Sequence, residues 1–288
     1  MRLDRAATLL IDSCRSLHAP SREVPAIPVL MYHSISDDDE SGVHPYYRVA
    51  TSPARFREHM EWLATDGYNA IGLEEAISRT SARRPVGRAV VVTFDDGLVD
   101  FLEHAWPTLE SHGFTATMFL PTAFIGHVRR RFKDKECLTW SEVRDLSTRG
   151  AHFGSHTVTH RLLRELPWTE VCAELRDSRH EIEAEIGQAV VTFAYPYAYP
   201  QTDRDFLARL NDELRGQQYR AAVTTAVGRL AEGDNPLSIK RLPLNSCDDL
   251  TLFRAKLTGA YDWVGTMQAV WKSGQRSVRG AAGWVRPS

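Results

Sequence analysis

Apolar runs bounded by turn residues alternate with stretches of helical period along most of this 288-residue chain. The runs at 29–32 (VLMY), 89–94 (AVVVTF), 115–120 (TATMFL), 151–155, 190–194 (VVTFA) and 221–225 (AAVTT) read as buried strands. Between them, Phe56, Met60, Leu63 and Ala64 recur at helical spacing after Ser52-Pro53, a cap and first-turn pair. Thr139-Trp140-Ser141-Glu142 is a capping-box pattern ahead of Val143 and Leu146, closed by Gly150. Val171, Leu175, Ser178, Ile182 and Ile186 share a helix face that Gly187 ends, and Leu207, Leu210 and Leu214 mark another helix. This alternation predicts helices packed on a parallel α/β sheet of about six or seven strands.

One catalytic domain accounts for the length. We expect a short helix and Pro-containing linker at 1–24, the catalytic domain at 25–265 and a C-terminal extension at 266–288, where Trp271 and Trp284 stand among small and basic residues. Apolar residues at 43% and charged residues at 25% are ordinary globular usage, and a formal charge of -2 makes no electrostatic case for nucleic acid or an anionic membrane. Cys14, Cys137, Cys172 and Cys247 have no CxxC spacing, which argues against a zinc ribbon or a disulfide framework and for a reducing compartment. The apolar run at 6–11 is too short for an export signal, and nothing later spans a bilayer, so a cytoplasmic location is expected.

Two adjacent carboxylates, in Thr93-Phe94-Asp95-Asp96-Gly97, follow the most apolar strand. At a strand's C-terminal end, where α/β enzymes gather their chemistry, such a pair is costly unless a cation neutralises it. An Asp-Asp-Gly helix cap is an equally good reading of those five residues alone. Ser155-His156-Thr157-Val158-Thr159-His160 also follows a strand, and two imidazoles four apart can converge on one metal from a helix or tight loop, although a lone HxxxH is commonly solvated surface. Together, two His and one Asp make a three-ligand catalytic set with open positions, and the spare carboxylate can accept a proton from metal-bound water. Phe193-Ala194-Tyr195-Pro196-Tyr197 reads either as a rigid loop presenting the Tyr197 N–H to an oxyanion or as a Pro-aromatic turn on the rim.

In this order and spacing the segments resemble the polysaccharide deacetylase family, carbohydrate esterase family 4, with its NodB-homology domain. TFDDG at 93–97, HTVTH at 156–160 and AYPY at 194–197 match its three motifs, and the likeness runs from IPVLMYHS at 27 to about Tyr261. It implies a distorted (β/α)7 barrel, Asp95 as general base, one divalent ion, usually zinc, on Asp96, His156 and His160, and the Tyr197 amide at the oxyanion. Ala194 stands where many members carry an arginine that orients the base, so another group such as Arg241 is expected to hold Asp95. The usual C-terminal Leu-x-His is absent. In circularly permuted members that process poly-N-acetylglucosamine the acid histidine follows an N-terminal strand, which points to His33; a merely hydrogen-bonded histidine at a strand end is the alternative.

The expected function is therefore hydrolysis of the N-acetyl group of amino sugars in a polysaccharide or its biosynthetic precursor, a C–N hydrolase acting on linear amides. Two alternatives remain at this point: hydrolysis of a non-sugar amide or cyclic imide on the same scaffold, and an inactive carbohydrate-binding homologue. The oligomeric state and the glycan are not encoded in these motifs.

Overall fold

In the computed structural model, which describes residues 3–16, 26–82 and 87–268, the alternation resolves into a ring of strands. They are β1 (Val29–Tyr32), β2 (Ala89–Phe94), β3 (Thr117–Leu120), β4 (His152–Ser155), β5 (Thr192–Ala194), β6 (Ala221–Val227) and β7 (Ile239–Pro243). Each is parallel to the next, and β7 returns to β1: Met31 lies opposite Thr93, Thr93 opposite Thr117, Ser155 opposite Leu120 and Phe193, Ala194 opposite Val223, and Leu242 opposite Leu30. A register shift between Val223 and Val227 breaks the β6–β7 ladder. The architecture is a distorted (β/α)7 barrel, as expected from the resemblance.

Parallel strands covered on both faces need apolar residues on both, and this is why 89–94 is apolar but for Thr93. Val91 packs in the barrel interior with Val29, Phe119, Val223 and Ile239. Its neighbours Val90, Val92 and Phe94 pack outward with Leu30, Tyr32 and Met118. With side chains alternating between the two faces, odd positions of β1 and β2 point inward, so that His33 and Asp95 emerge over the mouth.

The helices are α1 (Leu3–Ser16), α2 (Pro53–Thr65), α3 (Leu73–Ser81), α4 (Trp106–Ser111), α5 (Trp140–Thr148), α6 (Trp168–Ile186), α7 (Arg204–Gly216) and α8 (Leu250–Leu257). The caps read from sequence are present: Ser52 Oγ accepts from Arg55 N at 3.2 Å, and Thr139 and Glu142 form a reciprocal capping box. Helix α1 lies against the C-terminal end of the fold, where Trp263 Nε1 donates to Thr8 Oγ1 at 3.1 Å and Thr258 Oγ1 to Asp12 Oδ1 at 3.0 Å. The chain is helical again at 262–268. Most of the expected linker, and the expected C-terminal extension from 269 onward, fall outside the described residues. No helix among the described residues is long and apolar enough to cross a membrane.

The expected strand at 190–194 starts only at Thr192, because the Val190 N–H turns to the Glu183 carboxylate of α6 at 2.9 Å instead of joining the ladder. Strand β7, with the sequence IKRLP, has no apolar run to announce it.

Gly154 in β4 fixes how closely the strand that delivers the histidines can approach the interior. A Cβ there would fall 2.5 Å from Thr192 Oγ1 and 2.6 Å from the Phe119 ring. Gly154→Ala should therefore cost about 1–3 kcal/mol by overpacking, read as a lower urea midpoint at unchanged m-value.

Candidate active site

The expected site residues converge on the mouth of the barrel, at the C-terminal ends of the strands. Asp96 sits in a left-handed conformation (φ 74) directly after β2, and Gly97 (φ 65) completes the turn. A Cβ on Gly97 would come within 2.9 Å of Ile125 Cδ1, which gives the motif's glycine both a conformational and a steric reason. His156 and His160 lie on a loop after β4 rather than on a helix. Ligand atoms of Asp96, His156 and His160 all lie within 4.8 Å of one another, and Asp96 Oδ1 is 3.2 Å from His160 Nε2 and 3.7 Å from His156 Nε2.

Several observations fit this trio to a metal ion. His156 Nδ1 lies 2.8 Å from the Ala194 carbonyl, which can only accept, so Nδ1 carries the proton and Nε2 keeps its lone pair toward Asp96. Burial pushes the His156 pKa down to about 4, leaving the ring neutral as a ligand must be. Asp96 Oδ1 is buried without a hydrogen-bond partner, an orphaned acceptor facing both rings. Burial opposes its charge, but His160, His33, His156 and Lys133 outweigh it and hold the carboxyl well below the usual range.

The histidine loop is held from outside the motif. Glu174 of α6 accepts from the N–H groups of Val158 and Thr159, both at 2.8 Å, and from the Thr159 hydroxyl. Thr157 Oγ1 accepts from His160 N at 2.9 Å, while Ser155 Oγ contacts Ser178 Oγ at 2.6 Å. These bonds hold Thr157 (φ 68) and His160 (φ 54) in a region that costs non-glycine residues about 1–3 kcal/mol each. The motif reading passed over Glu174. Its signal was a carboxylate on the face between Val171 and Ser178, where the helical period calls for an apolar residue.

Asp95 is kept apart from the trio. Arg241 of β7 reaches through the interior and grips it with two bonds of 2.7 Å, while donating to Thr93 Oγ1 at 3.1 Å and to the Thr224 carbonyl at 3.0 Å. The guanidinium is 0% exposed. Burial would raise the Asp95 pKa, but the charge of Arg241, with smaller help from His156 and His33, brings it to about 2. Ala194 packs in the same interior, so the arginine missing from its position is replaced in space by one from a different strand.

His33 follows β1 with Nε2 at 3.7 Å from Asp95 Oδ2 and remains 20% exposed to the cleft. Tyr197 (φ 58) sets its ring edge-on to His160, with centroids 4.7 Å apart, and is half exposed. The cleft above these residues has a volume of about 480 Å³, and Tyr46, Tyr47, Phe132 and Tyr197 form much of its wall. The Gln268 carboxamide closes one side, donating to Tyr46 Oη at 3.3 Å.

A family model for polysaccharide deacetylase matches residues 82–213, which contain both the Asp pair and the histidine loop. YxkH of Bacillus subtilis (strain 168), named for the same deacetylases, is 29% identical over 226 residues, 76% of this chain and 72% of that protein. Over these residues the chain matches the polysaccharide deacetylase family. These deacetylases are metal-dependent hydrolases of amide bonds, a chemistry that the Asp96–His156–His160 set suits. The poly-β-1,6-N-acetyl-D-glucosamine N-deacetylase of Escherichia coli (strain K12) is 27% identical over 138 residues, 44% of this chain but only 20% of that larger protein. In fold, the chain is similar to PplD of Streptococcus pyogenes, a deacetylase solved with acetate, at a TM-score of 0.70 and 23% identity over 81% of this chain and 99% of that one.

Arg241→Met in this chain leaves a buried carboxylate without its counter-ion and should cost about 3–5 kcal/mol in urea unfolding at neutral pH. The sign with pH follows. In the natural chain Asp95 stabilises above its unfolded pKa, and that contribution is lost only as pH falls through about 2. In the variant burial alone acts and raises the pKa, so the deficit should shrink once the carboxyl takes up a proton at moderately acid pH.

Proposed function

We propose that the chain removes the N-acetyl group from amino sugars of a polysaccharide or of its biosynthetic precursor, using one zinc ion on Asp96, His156 and His160. The observation that carries this reading is the division of labour between neighbours. Asp96 turns an unpaired oxygen to two imidazoles, while Asp95 is gripped by Arg241 and keeps clear of the ligand set. A metal-binding surface without catalysis has no use for that second, separately held carboxylate.

A zinc ion so placed supplies an electrophile for the acetyl carbonyl and makes a nearby water more acidic. Asp95, fully ionised at neutral pH, takes the proton as the water oxygen attacks the carbonyl carbon. The Tyr197 backbone N–H is assigned to the developing oxyanion. His33, beside Asp95 and open to the cleft, delivers a proton to the nitrogen as the C–N bond breaks, so that acetate and a free amine leave. The exposed rings of Tyr47 and Tyr197 offer flat faces for a sugar ring.

β-1,6-linked N-acetylglucosamine oligomers are the first substrates to try, given the relative from Escherichia coli, with chito-oligosaccharides and cyclic imides beside them. A cytoplasmic location belongs to the same reading, since Cys14, Cys137, Cys172 and Cys247 are scattered without CxxC spacing, as suits a reducing compartment; recovery from the periplasm on fractionation would count against it.

Zinc-loaded protein should release acetate from one of the glycans and should leave the cyclic imides unopened. Asp95→Asn should abolish release with zinc content nearly unchanged, whereas His156→Ala should lose both. Full acetate release by Asp95→Asn would remove the base assignment.

A further inference from the structure

The segment Arg131 to Glu136, RFKDKE, has the look of solvated charge, yet it folds as an antiparallel hairpin with Arg131 opposite Glu136 and Phe132 opposite Lys135. Lys133 and Asp134 form its two-residue turn with φ of 48° and 62°, a turn that normally takes Asn-Gly. The hairpin is fixed at both ends. Its return strand bonds to the segment just after the Asp pair, through Val99 N to the Glu136 carbonyl at 2.9 Å and Leu138 N to the Gly97 carbonyl at 2.8 Å. On the other side, the Lys135 ammonium donates to Ser34 Oγ at 2.6 Å and Ser36 Oγ at 3.1 Å and pairs with Asp38.

So fixed, the turn carries Lys133 over the ligand trio. Its ammonium lies 3.4 Å from Asp96 Oδ2, 4.5 Å from the Phe132 ring centroid and 5.7 Å from that of Tyr197. The same two rings flank His160, at 4.9 and 4.7 Å between centroids. Asp96 is thereby divided: Oδ1 faces the two imidazoles, and Oδ2 faces a lysine held in an aromatic cradle.

We propose that Lys133 is a built-in counter-charge of the metal centre, which holds Asp96 to a single ligand oxygen and weakens the grip on the ion. The inference rests on the assignment of Asp96, His156 and His160 as metal ligands. A carboxylate that accepts from an ammonium on one oxygen donates less electron density through the other, and a positive charge one carboxylate away from a divalent ion repels it. Lys133 is 52% exposed, so water and salt screen the repulsion without removing it. A more weakly donated ion is also a stronger electrophile, which gives the strained turn a purpose.

The test is zinc affinity, not turnover. Metal-free protein is titrated with zinc against a chromophoric chelator for the natural chain, Lys133→Met, Lys133→Arg and Asp96→Asn. Lys133→Met should bind zinc about tenfold more tightly at low salt, with the gap narrowing at high salt. Lys133→Arg, which keeps the charge, should stay close to the natural chain. Zinc binding by the natural chain with no tightening in Lys133→Met overturns the proposal and leaves the ligand assignment standing. Zinc binding by the natural chain no stronger than that of Asp96→Asn overturns both.

Discussion

The buried pair of Arg241 and Asp95 is the constraint on which the site depends. A guanidinium and a carboxylate taken out of water are costly, and they persist only where geometry and further hydrogen bonds compensate. Here the bonds are two of 2.7 Å between the partners, with Thr93 and the Thr224 carbonyl taking further donors. The consequence is chemical as well as structural. Two carboxylates adjacent in sequence receive opposite surroundings, one clamped by a permanent cation and the other left with an unpaired oxygen facing two imidazoles, and the proposed roles of base and ligand follow that difference. Held near a pKa of 2, Asp95 is ionised at neutral pH, and in the proposed mechanism a carboxylate with so little pull on a proton calls for a strongly acidified water, which ties the Arg241 clamp to the proposed metal ligands.

The alternation of Val91 inward with Val90 and Val92 outward was legible because parallel strands demand apolar residues on both faces, and the caps at Ser52 and Thr139 because side-chain capping is local chemistry. The trio was legible because each motif sits at a strand end. What stayed hidden is what long-range pairing decides. Strand β7 is disguised by Lys240 and Arg241, residues that belong to no apolar run, since Arg241's partner lies 146 positions away. Its role could be suggested only as one candidate to fill the space left by Ala194. Lys133 sits in a charged stretch whose composition is that of any solvated surface, and only the hairpin's attachment to Gly97 and Ser34 gives it a place.

Backbone strain gathers where the chemistry is. Asp96, Thr157, His160 and Tyr197 all take left-handed conformations, and the loop of Thr157 and His160 is restrained both by a bond within its motif and by Glu174 from outside it. A short motif thus names the ligands, whereas the surrounding helices hold them in a conformation those residues would not choose alone.

The closing of the ring between β7 and β1 has a consequence for the order in which the molecule becomes competent. Asp95 receives its neighbours from strands adjacent in the ring but far apart in sequence, His33 from the first barrel strand made and Arg241 from the last. As the chain leaves the ribosome, the motif that marks the enzyme is synthesised early, but its carboxylate has no cation to rest on until the final staves are in place. Assembly of this cluster therefore waits on the last barrel strand, and a nascent or nicked chain that lacks it carries the Asp pair without the guanidinium that clamps Asp95.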